Sequence, residues 1–382
     1  MPGLRLMDNS LNMDYFLPVR LVTGPGCVWE GRKLFKELGT SCLIVTGQHG
    51  AKDSGALQDA VKALDSQKIS WDVFDQVESN PLISTARRAG DEARRIRAGF
   101  IMGIGGGSAI DCSKMAAVFA RNQMPGDSLY QAAPHWEHVP LPLVQIGTTA
   151  GTGSEINPYS VLTSDITGRK KSVGFDHGYA RVVFGDPRYT MSLSYDITVS
   201  TALDALCHAT EGFFCKASNL MTDMAAMSAA QLILPVLAGM ERGKELTAGQ
   251  REQLYYGSLF GGMVINKTGT AYCHAFGYYL TETFLTPHGM ACAEFLPHYI
   301  RRSARLCPDK AAYYQQRCGI DMEEICVLIE SLTAHEPWPC TKEELLKAAE
   351  RWRMGPHKNF VKSPGDFGSD EITETFLQVM MK

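Results

Sequence analysis

The apolar rhythm of the chain changes about halfway along. In the first half, short β-branched or aromatic runs alternate with helical spacing. Cys42–Thr46 (CLIVT) reads as a strand ended at Gly47, and helical periodicity follows through Asp59–Leu64. Trp71–Phe74 (WDVF) reads as a second strand, and Asn80-Pro81 as the turn before a helix over Ser84–Ile96. Phe100–Ile104 (FIMGI), Leu143–Ile146 (LVQI) and Val182–Phe184 continue the strand pattern. Strands separated by helices of this length predict βαβ units and a largely parallel sheet.

From about Met191 the strand signal fades. Helices are predicted over Asp196–Lys216, Met221–Arg242, Gly249–Val264, Tyr272–Phe284, His288–Arg305, Met322–Ser331 and Thr341–Arg351. The boundary falls near Asp186-Pro187, which predicts an α/β domain over residues 1–187 and an all-α domain over 188–382. The piece from Gly355 to Gly368 reads as a polar loop, and no repeat is visible.

Composition narrows the function classes. Hydrophobic residues make up 45% and charged residues 20% of the 382, a globular balance. A formal net charge of −4 gives no general attraction to nucleic acid or anionic membrane. No uninterrupted apolar run approaches the roughly 18 residues that read as a membrane span, and the N-terminus lacks a signal-peptide core. Eleven cysteines without CxxC pairs predict reduced thiols in a cytoplasmic protein. The expected partner is a small molecule, with no nucleic acid and no membrane.

Two glycine-containing turns and one set of side chains carry the chemistry. Ile101–Ser108 (IMGIGGGS) is a strand entering three glycines and a serine, with a helix expected from Ala109. Such a turn presents unpaired N–H groups and the positive end of a helix, which suits a pyrophosphate. Asp111 and Lys114 follow close behind. By itself the turn is explained as well by simple chain reversal, but Gly147–Glu155 (GTTAGTGSE) repeats the pattern after another strand. Ligands of open parallel sheets bind at such carboxyl ends. Further on, Asp204 and His208 stand at i and i+4 in LDALCHATEG, and His274 and His288 follow in CHAFGYY and TPHG. Singly, each histidine reads as an ordinary packed residue. Together, one carboxylate and three imidazoles suit Fe(II), Zn(II) or a similar divalent ion.

In their order and spacing, GGGSxxDxxK (Gly105–Lys114), TTAGTGSE (Thr148–Glu155), Asp186-Pro187, LDALCHATEG and HAxxxxL…PHG resemble the iron-containing alcohol dehydrogenase family. The similarity runs from about Tyr15 to at least Ile300. It implies a Rossmann-like N-terminal domain that binds NAD or NADP, an all-helical C-terminal domain, and an active site in the cleft between them. It implies metal ligation by Asp204, His208, His274 and His288, and pyrophosphate contacts from Gly105, Gly106, Gly107, Ser108 and Asp111. Thr148, Thr149, Asn157 and Lys170 would contact nicotinamide and ribose, with Asn80 close to the cofactor. The implied activity is a metal-dependent, NAD(P)-linked alcohol dehydrogenase or aldehyde reductase acting on a small C2–C4 aldehyde, with sulfo- or phosphonoacetaldehyde as acidic-tailed examples. A homodimer or higher homo-oligomer is expected.

Two positions depart from the family pattern. Many members carry a second, non-ligating histidine four residues after the third ligand; here Tyr278 occupies that place and becomes the candidate proton relay. Many NAD-preferring members carry an aspartate where this chain has Gly47, and its absence removes the repulsion that would exclude a 2′-phosphate. Two other readings remain at this point: a metal-dependent, NAD-using cyclase or lyase of the same superfamily, and a non-catalytic nucleotide-binding scaffold.

Overall fold

The computed structural model describes residues 13–124, 129, 136–353 and 358–382. They form two compact units. One comprises Leu17–Ser194 and Lys244–Tyr255; the other comprises Tyr195–Gly243 and Tyr256–Lys382, with the described residues up to Phe16.

The first unit is built on eight strands: β1 (Arg20–Thr23), β2 (Ser41–Thr46), β3 (Ser70–Phe74), β4 (Phe100–Gly105), β5 (Leu143–Gly147), β6 (Tyr159–Thr163), β7 (Lys170–Gly174) and β8 (Val182–Gly185). Six form one sheet in the order β1-β8-β5-β4-β2-β3, and every pairing in it is parallel. Its central strands are buried on both faces, which is why CLIVT and FIMGI are continuous apolar runs without alternation. Leu43, Val45 and Ile101 enter one core with α4 (Ile83–Arg95) and α5 (Gly107–Arg121); Cys42, Ile44 and Met102 enter the opposite one with α1 (Cys27–Glu30), α2 (Gly50–Asp53) and α3 (Ala56–Ser66).

All the strands expected from sequence are present. The sequence reading omitted β1 at the sheet edge and the separate antiparallel pair β6–β7. After β2 the chain goes outward to β3 and then returns to β4 on the other side of β2. This reversal is the point of a parallel sheet where ligands bind. Gly105 of β4 is in register with Gly147 of β5, so the GGGS and GTTAGTGSE turns leave the sheet side by side.

Among its described residues the second unit is helical: α6 (Tyr195–Phe214), α7 (Leu220–Ala238), the larger part of α8 (Ala248–Thr268), α9 (Tyr272–Phe284), α10 (His288–Ala293), α11 (Leu296–Leu306), α12 (Pro308–Cys318), α13 (Met322–Leu332), α14 (Lys342–Arg353), α15 (Lys358–Lys362) and α16 (Ser369–Met380). The single helix expected over His288–Arg305 is two, because the chain breaks at Glu294–Phe295 and Pro297 opens α11. Within Gly355–Gly368, expected as loop, Lys358–Lys362 is helical; residues 354–357 lie outside the described set. Helix α7 amends the reading of apolar runs. By length and composition alone it is apolar enough to cross a membrane, although half of the relevant window is buried within the protein. It carries Asp223, paired with Lys310 at 3.1 Å.

Candidate metal centre and phosphate-binding turn

In the helical unit, α6 brings Asp204 and His208 to one face, α9 supplies His274, and α10 opens with His288. The approach of α10 to α6 is close: a Cβ on Gly289 would stand 1.8 Å from the Ser200 carbonyl oxygen. Glycine after His288 is therefore a packing requirement that lets this imidazole reach Asp204. Asp204 Oδ1 lies 3.7 Å from His208 Nε2, 3.5 Å from His274 Nε2 and 4.0 Å from His288 Nε2. Tetrahedral ligands at about 2.1 Å from an ion are about 3.4 Å apart, so these separations are of coordination size.

Among the described residues, Asp204 Oδ1 and His274 Nε2 are buried atoms with no hydrogen-bond partner. Leaving such atoms bare costs about 1–3 kcal/mol each. A divalent cation satisfies both at once, so the donor set fits one. Burial by itself would raise the Asp204 carboxyl, but His208, His274 and His288 outweigh it and hold the group well below the usual carboxylate range. The ligating form is favoured.

The sequence reading missed Glu211. It is fully buried on α6, seven residues after Asp204 and three after His208, hence on the same helix face. One carboxylate oxygen accepts from the Cys273 backbone N–H at 2.8 Å, and the other lies 2.5 Å from His274 Nδ1. A carboxylate on the far nitrogen fixes the tautomer and leaves Nε2 free to ligate. The i, i+4, i+7 spacing of Asp204, His208 and Glu211 was the available signal. Glu211→Gln should weaken metal retention about 10- to 100-fold by chelator competition; unchanged retention would remove Glu211 from this role.

The two candidate tyrosines separate. Tyr278 stacks on His288, with ring centroids 5.4 Å apart at 20°. Tyr279 instead packs among Phe284, Trp352 and Phe376.

In the α/β unit the glycine turn is tighter than expected, since α5 begins at Gly107 and not Ala109. Gly106 precedes it with φ −78° and ψ −174°, and no side chain caps the helix. The Thr148 N–H donates to the Gly105 carbonyl at 2.9 Å, tying the second turn to the first. A Cβ on Gly106 would meet Thr149 Cγ2 at 3.0 Å. The Asn80 N–H donates to Ser108 Oγ at 3.3 Å, and Asn80 Oδ1 accepts from Lys170 Nζ at 2.8 Å. Asn80 adopts φ 55°, a left-handed conformation that asparagine tolerates. Asn80, Ser108 and Lys170, far apart in sequence, are thus joined. Gly47 closes β2, and a Cβ there would meet only the Val77 carbonyl oxygen, at 3.1 Å.

Two expected cofactor contacts have their side chains engaged inside the protein. Asp111 accepts from Ser154 Oγ and, at 2.8 Å, from the Val161 N–H. Lys114, fully buried, lies 3.5 Å from Asp111 and donates to the Ser154 and Tyr159 carbonyls. This group clamps the segment Ser154–Val161 onto α5. Asn157 donates to the Gly153 carbonyl and accepts from the Tyr159 N–H at 3.0 Å. The Tyr159 ring lies against Gly174 of β7, where a Cβ would meet it at 2.7 Å.

Both parts of the chain are similar to known proteins. The family model described as iron-containing alcohol dehydrogenase matches residues 18–187, and its C-terminal counterpart matches residues 198–336. The 1,3-propanediol dehydrogenase of Klebsiella pneumoniae is 33% identical over 322 residues, covering 83% of this chain and 80% of that protein. A crystal structure of an iron-containing alcohol dehydrogenase superposes with TM-score 0.85 at 31% identity, covering 97% of this chain and 99% of the other. The sulfoacetaldehyde reductase from Bifidobacterium kashiwanohense, in complex with NAD+, gives TM-score 0.85 at 25% identity, with 97% and 99% coverage.

Proposed function

Because this chain belongs to the iron-containing alcohol dehydrogenase family, and is thereby an oxidoreductase acting on alcohols, we propose that it reduces a small C2–C4 aldehyde with a polar or acidic tail, using NAD(P)H and a divalent ion, Fe(II) first. The observation that carries the reading is the bare, buried pair Asp204 Oδ1 and His274 Nε2 among three imidazoles. Asp204, His208, His274 and His288 would hold the ion. When bound, the ion supplies Lewis acidity toward an alcohol or carbonyl oxygen, and the nicotinamide supplies hydride.

The chain's own residues divide the remaining work. Glu211 orients His274. Tyr278, stacked on His288, carries the phenol that would pass the alcohol proton. Tyr278→Phe should leave the metal bound and lower turnover with a changed pH profile, by up to the roughly 100-fold at the low end of general acid–base effects. Loss of metal in that variant would show the ligand assignment to be out of register.

In the α/β unit, the backbone of Gly105–Ser108 and the start of α5 would receive the pyrophosphate. Thr148 and Thr149 would lie beside it, with Asn80 and Lys170 at the ribose and nicotinamide. Asp111 and Asn157 would act by holding the loop, since their side chains are engaged there. Gly106→Val adds bulk that crowds Thr149 of the neighbouring turn, at 3.0 Å from its Cγ2, without demanding an unusual backbone. Nucleotide Kd should rise at least tenfold, about 1.4 kcal/mol, and an unchanged Kd would make the turn merely structural. With Gly47 offering no carboxylate, both NADH and NADPH should be accepted.

For the substrate, two of the similar proteins are named for 1,3-propanediol and sulfoacetaldehyde, both small and polar. A tail with acceptors would find a hydroxyl at Tyr278, which stacks on His288. The test is a panel of small aldehydes with each nucleotide. An acidic-tailed aldehyde should exceed butyraldehyde of similar length in kcat/KM; the opposite order would overturn the polar-tail assignment alone.

A further inference from the structure

Cys292 lies one helical turn beyond His288 on α10, so its thiol shares the face that carries the imidazole. Its Sγ is 3.8 Å from each ring nitrogen of His288. With Asp204, His274 and His288 it forms a set whose potential ligand atoms all lie within 4.8 Å of one another. The cysteine is fully buried, and α9 leaves room for it: a Cβ on Gly277 would stand 2.8 Å from the sulfur. Independently, Asp204 Oδ1 and His274 Nε2 are buried in the same cluster without hydrogen-bond partners among the described residues.

Asp204, His274 and His288 are therefore common to two four-donor sets. Adding His208 gives one oxygen and three nitrogens, a sphere that accepts Fe(II). Adding Cys292 gives one sulfur, two nitrogens and one oxygen, and thiolate favours zinc. We propose that Cys292 is an alternative ligand of this centre, its thiolate replacing His208 when the ion is zinc. The proposal rests on the metal-centre reading above. Binding converts the Cys292 S–H into a sulfur–metal bond and releases one proton to solvent, with no change in oxidation state. One fold would then hold two ions in different spheres, and the sulfur-bound form would keep the metal when His208 is removed.

The test strips the metal, adds one equivalent of Co(II) as the spectroscopic stand-in for zinc, and records metal content together with near-ultraviolet absorption. A sulfur-to-cobalt charge-transfer band is expected in the unmodified protein and in His208→Ala, and not in Cys292→Ser. Bound cobalt without the band in the unmodified protein, or a band that survives Cys292→Ser, overturns the proposal and leaves the metal centre standing. Failure of cobalt to bind overturns both. Should Cys292→Ser not fold, zinc X-ray absorption on the unmodified protein decides: a sulfur scatterer at about 2.3 Å is expected, and a shell of nitrogen and oxygen alone overturns the proposal.

Discussion

Asp204→Ala should lose the divalent ion and nearly all activity while the α/β unit still binds nucleotide. Asp204 is the one carboxylate that all three imidazoles face, at 3.5–4.0 Å from its Oδ1. It belongs to every donor set the cluster offers, so its removal has no substitute. Lewis-acid stabilisation is worth several kcal/mol, and about 1.4 kcal/mol is a factor of ten in rate. A fall in kcat/KM of about a thousandfold or more follows. Elemental analysis, a steady-state assay and nucleotide titration read the three consequences separately. A variant that kept its metal would show that the buried carboxylate is no ligand.

The second large effect lies in the other unit. Lys114→Met should destabilise the protein by about 3–5 kcal/mol, the usual result of stripping one member from a buried charge pair. Burial lowers the Lys114 ammonium's pKa, with Asp111 and Glu155 opposing that shift, and burial raises the Asp111 carboxyl with Lys114 opposing it. Each charge is tolerated because of the other. The ammonium also serves the Ser154 and Tyr159 carbonyls, which methionine would leave without it. A Tm about 10 °C lower is expected for a unit of this size. Adding Asp111→Asn to the same chain should recover part of the loss, because the uncompensated carboxylate is then gone. A Tm within 2 °C of the parent for Lys114→Met would mean that the clamp contributes little.

What the sequence revealed depended on how strongly burial constrained each segment. The central strands were legible because a parallel strand covered on both faces admits only apolar residues, as in CLIVT and FIMGI. Strand β1 was not, since RLVT is short, half-exposed and at the sheet edge. The β6–β7 pair was missed because Lys170 and Lys171 break any apolar alternation. Helix α12 buries only Ala311 and Tyr314, too little to stand out, whereas α16 keeps an apolar face of Ile372, Phe376, Val379 and Met380 that the sequence reading passed over.

At the candidate site, ligand chemistry narrows the residue type enough to single out Asp204, His208, His274 and His288, which the structure brings together. Glu211 was overlooked because its partner, His274, lies 63 residues away in sequence. Asp111 shows the reverse limit: its place after the glycine turn suggests a phosphate contact, and only the fold shows its carboxylate engaged with Ser154 and Val161.

On this reading the chain couples a divalent ion to net hydride transfer. That coupling is tested most directly by following nicotinamide absorbance and aldehyde consumption together, in protein loaded with Fe(II) and in the same protein after chelation. One NAD(P)H should be oxidised per aldehyde consumed, and turnover should stop on chelation and return when Fe(II) is restored. Substrate conversion with no net change in nicotinamide, or turnover indifferent to the chelator, would contradict it.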